Sequence, residues 1–257
     1  MFVGRSEPLS DEGLDQAADE LGVGLPALWA VMTVETRGCG FLPDRRPKIL
    51  FERHIFSKRT GGRFDAVEPD VSNRKAGGYG PDGPQQYERL EQAMALDAVA
   101  ALESASWGLG QVMGFNAGDS GYSGVREMVE AMCDSEDAQF GAMVGYVKSN
   151  DLARHLQRGE WADFAYRYNG PDFQKNKYDT KLENAFARYS VGPLPDIRVR
   201  AAQLRLIYLG YNPGGVDGWF GQNSQKALLR FQQDSGLAQS GFLDDTSINA
   251  LAEATRR

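Results

Sequence analysis

Histidine and cysteine are both scarce here, with two of each in 257 residues. His54 and His155 stand far apart, and no HExxH-type spacing accompanies either. Assembling a zinc site would require the arbitrary trio His54, His155 and Cys133, so no metal and no cofactor is expected. His155, in LARHLQRG, reads as an exposed helix residue. Cys39 and Cys133 read as free thiols, and a Cys39–His54 peptidase pair lacks any recognisable nucleophile motif. No apolar run of signal-peptide length opens the chain, and no stretch is long enough to span a bilayer. The expectation is therefore a protein that folds in the cytosol, does not insert into a membrane, and depends on another agent for release. Positive charge is lacking too. The net charge is −7. Residues 197–257 carry seven Lys/Arg against five acids, which leaves −9 on the remainder. That balance argues against a nucleic-acid partner.

What is present is a globular composition, 42% hydrophobic and 25% charged. Helical periodicity dominates the first three quarters. Leu14, Ala17, Ala18 and Leu21 share a face, with Ser10 placed to cap and Gly22 to stop that helix. Further helices are expected from Pro26, over 85–104, around Phe140–Val147, around Trp161–Tyr168 and around Leu182–Tyr189. Residues 38–82, broken by glycine pairs and prolines, predict loops with a short hairpin. Ser190-Val191-Gly192-Pro193-Leu194-Pro195-Asp196 reads as a stiff linker that few contacts should cross. The expected division is a domain over 1–190, a linker over 191–196 and a second domain over 197–257.

Glu35 ends an apolar helix, seven residues beyond Leu28 and four beyond Val31, so its carboxyl shares their buried side. Burial and the negative end of the helix dipole both disfavour the carboxylate and raise its pKa, unless Arg37 turns back toward it. Such a glutamate suits a general acid, although spacing alone favours a merely solvated helix-end residue. Glu52 stands within the apolar segment Lys48-Ile49-Leu50-Phe51-Glu52-Arg53-His54-Ile55-Phe56, where an unpaired charge is costly. It is either a second catalytic carboxylate or a salt-bridge partner of Arg53 or His54. Asp44, Asp65, Asp70 and Glu103 are weaker candidates. Ser106-Trp107-Gly108-Leu109-Gly110-Gln111, continuing to Asn116, and Tyr168-Asn169-Gly170 supply amides and aromatics suited to a ring-shaped polar ligand.

In this order, Glu35, the ILFERHIF block, Gly-x-Gln at 109–111 and Tyr-Asn-Gly at 168–170 resemble the phage N-acetylmuramidase family of the lysozyme superfamily. Leu209-Gly210-Tyr211, Asp217-Gly218, Phe220-Gly221, Phe231-Gln232, Gly236-Leu237 and Gly241 resemble the peptidoglycan-binding module of wall hydrolases, with Ser224 where that family usually has Thr. The resemblance implies a mainly α protein: a lysozyme-like helical catalytic domain plus a small three-helix peptidoglycan-binding domain. It implies Glu35 and Glu52 as catalytic residues, and Gln111, Asn116, Tyr168, Asn169 and Trp107 as substrate-binding ones. A lone Trp beside a helix is more often core, which favours that reading of Trp107, and Tyr168 should have its ring packed with only the hydroxyl reaching the site. The implied partner is the glycan strand of peptidoglycan, attacked by a monomer through hydrolysis of the β-1,4 bond between N-acetylmuramic acid and N-acetylglucosamine. A lytic transglycosylase, a non-catalytic wall-binding lysis protein and a bacterial toxin remain alternatives. Glu35-Thr36-Arg37-Gly38 replaces the ESSG-like signature of many transglycosylases, which favours the hydrolase.

Overall fold

The computed structural model describes residues 2–35, 38–171 and 173–256, apart from the side chain of Glu35. The Glu35 carboxyl, and Thr36 and Arg37 after it, thus lie outside the described residues.

Among the described residues the chain forms thirteen α-helices and one three-stranded sheet, a mainly α architecture. Helix α1 (Asp11–Leu21) begins where the Ser10 hydroxyl accepts from Gly13 N at 3.0 Å, and it ends on left-handed Gly22. Helix α2 (Leu25–Glu35) is apolar on nearly every side and is correspondingly enclosed, with Leu28, Ala30 and Val31 fully buried. Its last residue is Glu35.

Residues 38–82 are less loop-like than their composition predicts. They hold strand β1 (Ile49–Phe51) and helix α3 (Arg53–Arg59), so Glu52 sits at a strand-to-helix junction. The helix expected over 85–104 is two, α4 (Gln85–Leu96) and α5 (Ala98–Glu103). Asp97 breaks it by turning extended and accepting from Ala100 N at 3.1 Å, a new N-cap. Strands β2 (Ala105–Trp107) and β3 (Val112–Met113) form the hairpin, and β1 adds antiparallel to β2 with Ile49 opposite Trp107. The stranded hairpin thus lies outside 38–82, where the expected hairpin is reduced to a single antiparallel bridge, Phe41 to Pro47, with Leu42 N donating to Arg46 O at 2.8 Å.

Helices α6 (Val125–Asp134), α7 (Glu136–Ser149), α8 (Ala153–Arg158), α9 (Trp161–Asn169) and α10 (Tyr178–Val191) follow. Helix α10 packs along α2, where Thr33 Oγ1 and Tyr189 Oη lie 2.9 Å apart. One core runs from Leu9 to Ile197 and encloses Trp107, Phe140 and Phe164. No single helix among the described residues is long and apolar enough to cross a membrane.

Helices α11 (Ile197–Tyr208), α12 (Gln222–Asp234) and α13 (Asp245–Thr255) complete the chain around Leu206, Leu228, Phe231 and Leu251. Asp217 accepts from Trp219 N at 3.0 Å, and buried Gln203 bonds both Asp217 and Gly218, fixing the glycine-rich loop. Leu204 is buried as expected, but against Cys39, Phe41 and Val216 rather than within the three-helix core. The segment before α11 does separate two helical groups, yet the expectation of few contacts across it fails. Arg205 pairs with Glu7, Tyr208 donates to Ser6 O, Arg45 donates to Thr255 O, and Arg200 reaches Glu136. Proline and glycine describe the path of the connecting chain and carry no information on whether the helices beyond it dock.

Candidate active site

A cleft of about 1450 Å³ opens between the sheet and the C-terminal end of α9. Ser106, Gln111, Val112 and Met113 form its floor, Glu52, His54 and Ile55 one side, and Tyr146, Arg167, Tyr168 and Asn169 the other. Tyr79 and Asp82, from the Gly77–Pro84 loop, also line it. Buried Gln86 places that loop: its Nε2 donates to Tyr79 O at 2.7 Å and Pro81 O at 2.8 Å, while its Oε1 accepts from Phe51 N in β1. This volume exceeds the roughly 300–1,000 Å³ of ordinary small-molecule pockets, as a site for an extended polymer requires.

Glu52 is half-buried on the cleft wall. Burial pushes its carboxyl above the ordinary value, and the nearby His54 partly offsets this. His54 Nδ1 lies 3.3 Å from Glu52 Oε2, close enough for ion pairing when protonated, but the two are not aligned as a hydrogen bond. Glu52 heads α3 without bonding that helix's backbone, so its oxygens are not spent on capping. Arg53, the other partner considered, lies instead against Gly78. Glu52 thus has a raised pKa, a position at the cleft and a weak ionic partner.

The remaining candidates divide. Gln111 and Asn116 line the cleft, as do Tyr168 and Asn169 at the end of α9. Gln111 holds a left-handed backbone, φ 48°, and both amide hydrogens are engaged, to Lys48 O at 3.2 Å and Gly108 O at 2.9 Å. Its Oε1 accepts from Ser106 Oγ, so this side chain shapes the floor and keeps only acceptor capacity for a ligand. Tyr168 stacks on Phe164 at 5.3 Å and donates its hydroxyl to Gly110 O at 2.7 Å, tying α9 to the turn between β2 and β3. Trp107 is fully buried and donates Nε1–H to Leu102 O at 3.0 Å, which corrects its assignment as a sugar-stacking residue. Glu103 pairs with Arg59, Asp44 with Arg46, and Asp65 with Ser72 and Arg74, none of them lining the cleft; Asp70 is exposed and also outside it.

The sequence reading missed Tyr79, Asp82, Tyr146 and Arg167 as cleft residues. A signal existed for the first two, since Gly77-Gly78-Tyr79-Gly80-Pro81-Asp82 sets an aromatic and an acid among residues that serve chain direction. Nothing in a helical pattern marks Tyr146 or Arg167.

Other chemistries find little support. Cys39 and Cys133 are buried free thiols, and burial pushes Cys133 up to about 12. His155 is buried rather than exposed, with Nδ1 2.6 Å from Glu160 Oε2. Among the described residues, His155, Glu160 and exposed Asp163 bring metal-ligand types within 4.8 Å of one another, and the His155–Glu160 bond already occupies two of the three.

The N-acetylmuramidase family model matches residues 24–190, and the model of a putative peptidoglycan-binding domain matches residues 196–251. No curated protein matches the chain. The crystal structure of a Burkholderia AP3 phage endolysin is 44% identical, covering 72% of this chain and 71% of its own, with a TM-score of 0.67. The chain belongs to the N-acetylmuramidase family, and it is a peptidoglycan hydrolase whose muramidase region is followed by a peptidoglycan-binding module.

Proposed function

We propose that the protein is an endolysin that cleaves the β-1,4 bond between N-acetylmuramic acid and N-acetylglucosamine, with Glu35 as the general acid and Glu52 directing the attacking water. The observation that carries this reading is Glu52: a carboxyl with a raised pKa on the wall of a polymer-sized cleft, within the block that resembles the muramidases. Hydrolysis at a glycosidic carbon needs a proton donor for the leaving oxygen and a carboxylate that orients water or attacks directly. Glu35 closes a buried apolar helix, a position that favours the protonated form needed at the start of the reaction. When Glu35 transfers its proton, Glu52 withdraws one from water on the opposite face of the sugar, and each carboxyl finishes in the other's starting state.

Asn116 and Asn169 suit the N-acetyl and hydroxyl groups of the glycan, while Gln111 and Tyr168 hold the cleft walls that present them. The binding module concentrates the enzyme on the wall, raising the effective substrate concentration. Acting as a monomer without nucleic acid or membrane insertion, the enzyme is made in the host cytoplasm and reaches the wall after holin-type release. The test is Glu35→Gln: an isosteric amide that has no proton suited to donation should abolish clearing of sacculi while the fold persists. Wild-type clearing by this variant would overturn the assignment.

A further inference from the structure

The Gly38–Phe41 loop, shortly beyond Glu35, is held from both sides of the domain boundary. Glu136, the first residue of α7, is completely buried, and its carboxylate accepts four hydrogen bonds. Two come from backbone, Leu9 N at 3.0 Å and Gly40 N at 2.7 Å. Two come from Arg200 of α11, in the peptidoglycan-binding module, at 2.5 and 3.0 Å. Arg200 is itself 2% exposed and donates onward to Gly38 O at 2.8 Å. One guanidinium–carboxylate pair therefore grips the carbonyl of Gly38 and the N–H of Gly40, three and five residues beyond Glu35.

The same loop is roofed by the module. Cys39 and Phe41 share a buried cluster with Leu204 and Val216. A Cβ on Gly38 would stand 3.1 Å from Val216 O, so the backbones meet at close range. From Gly40 the connection continues into the cleft floor. Gly40 O accepts from Lys48 N at 2.7 Å, and Lys48 O accepts from Gly108 N at 2.8 Å and from Gln111 Nε2.

A module that acted only as an anchor would have no need of a desolvated arginine inserted into its neighbour. Buried charge is tolerated where its partners are complete, and here the carboxylate has every lone-pair direction used. Charge-assisted bonds are also shorter and more directional than neutral ones, which makes them suited to fixing a backbone. We propose that Arg200 is a positioning residue for the catalytic loop, so that the peptidoglycan-binding module completes the active site as well as anchoring it. This rests on the reading of Glu35 as the acid.

The test uses the full-length chain on soluble, peptide-free glycan strands, where anchoring to an insoluble wall contributes nothing. Arg200→Met with Glu136→Gln removes both charges together, and Arg200→Lys keeps the charge but loses the paired geometry. Loss of loop positioning should lower kcat on the order of tenfold to a hundredfold, since displacements near 1 Å have effects of that size. KM should stay within about threefold, because kcat alone reports an interaction made in the transition state. The alkaline limb of the kcat/KM profile should move, Arg200→Lys should recover part of kcat, and pull-down on insoluble sacculi should be unchanged. A folded double variant with wild-type kcat and pH profile overturns the proposal; should that variant fail to fold, wild-type kcat in Arg200→Lys does the same. Glu35→Gln in parallel separates the two readings. If it is inactive while the Arg200 variants are wild-type, only the positioning role falls. If it is active, the catalytic reading falls and takes the positioning role with it.

Discussion

Replacing Glu136 by glutamine should destabilise the whole protein strongly, and in a pH-dependent manner that identifies the cause. The amide offers one accepting oxygen where four donors converge, and it leaves the Arg200 guanidinium buried without a counter-charge. Breaking one side of a buried ion pair costs about 3–5 kcal/mol. At roughly 2–4 °C per kcal/mol for a chain of this size, Tm should fall by about 6–20 °C at pH 7. High salt should not restore it, since the guanidinium left unpaired is too buried to be screened. The pH dependence follows from the direction of the Glu136 shift. Burial opposes ionisation, but the Arg200 charge and the bonds from Arg200, Gly40 and Leu9 prevail and hold the folded-state pKa below the usual 4.5. A depressed carboxyl contributes stability that is fully present above its unfolded pKa and is lost as pH falls through the folded one. The gap between wild type and Glu136→Gln should therefore stay constant from pH 7 to about pH 5 and narrow below pH 4.5. Calorimetry on both proteins at pH 7 and pH 3 measures this. A shift under about 2 °C at pH 7, or an equal gap at both pH values, would refute the reasoning.

Three further variants have defined expected outcomes. Glu52→Gln should lower turnover at least about a hundredfold, the usual scale of acid–base assistance. The same variant should be no less stable at neutral pH, because a carboxyl whose pKa is raised by burial is destabilising when ionised; reduced Tm with full activity per folded molecule would instead make Glu52 a salt-bridge residue. His54→Gln removes the group that holds Glu52 down, so the acid limb of kcat/KM should move to higher pH; an unmoved limb would detach Glu52 from that limb. Gly40→Ala should abolish activity and destabilise by about 3 kcal/mol or more, since its Cβ would fall 1.7 Å from Gln139 Oε1 and 2.8 Å from Leu109 N and force a buried amide from its partners; near-native melting would contradict this packing.

Features that depend on neighbouring residues were legible in the sequence. Ser10 and Gly22 bound α1 as their capping chemistry predicts, and the tail's loop is fixed around Asp217. Asp97 was equally readable as a cap, but an unbroken apolar rhythm over 85–104 concealed it. Helix α3 was missed because RHIFSKR is short and polar and directly follows a strand. The sheet joins β1 to segments more than fifty residues later, a pairing that no local pattern specifies. Within the cleft, the places of Glu52 and of the amides at 111, 116 and 169 on the lining follow from the motifs that carry the family resemblance. Trp107 was not legible, since an indole looks the same on a cleft wall and in a core until its Nε1 finds Leu102 O. Arg200 and Glu136 were hidden for the opposite reason. Each occupies a place where charge is ordinary, near the start of a helix, and their burial arises only when α11 docks on α7.

The chemical fate of the cleaved glycan tests the central claim most directly. Digested sacculi, treated with borohydride and resolved by mass spectrometry, should yield muropeptides with reducible N-acetylmuramic acid ends and no anhydro species above background. With Glu52 acting on water, cleavage should also invert the anomeric carbon, as it does where carboxyls stand about 6.5–9.5 Å apart. Anhydro ends as the main product would contradict the account: the sugar's own 6-hydroxyl would be the nucleophile, Glu35 would serve as both acid and base, and Glu52 would return to a structural role.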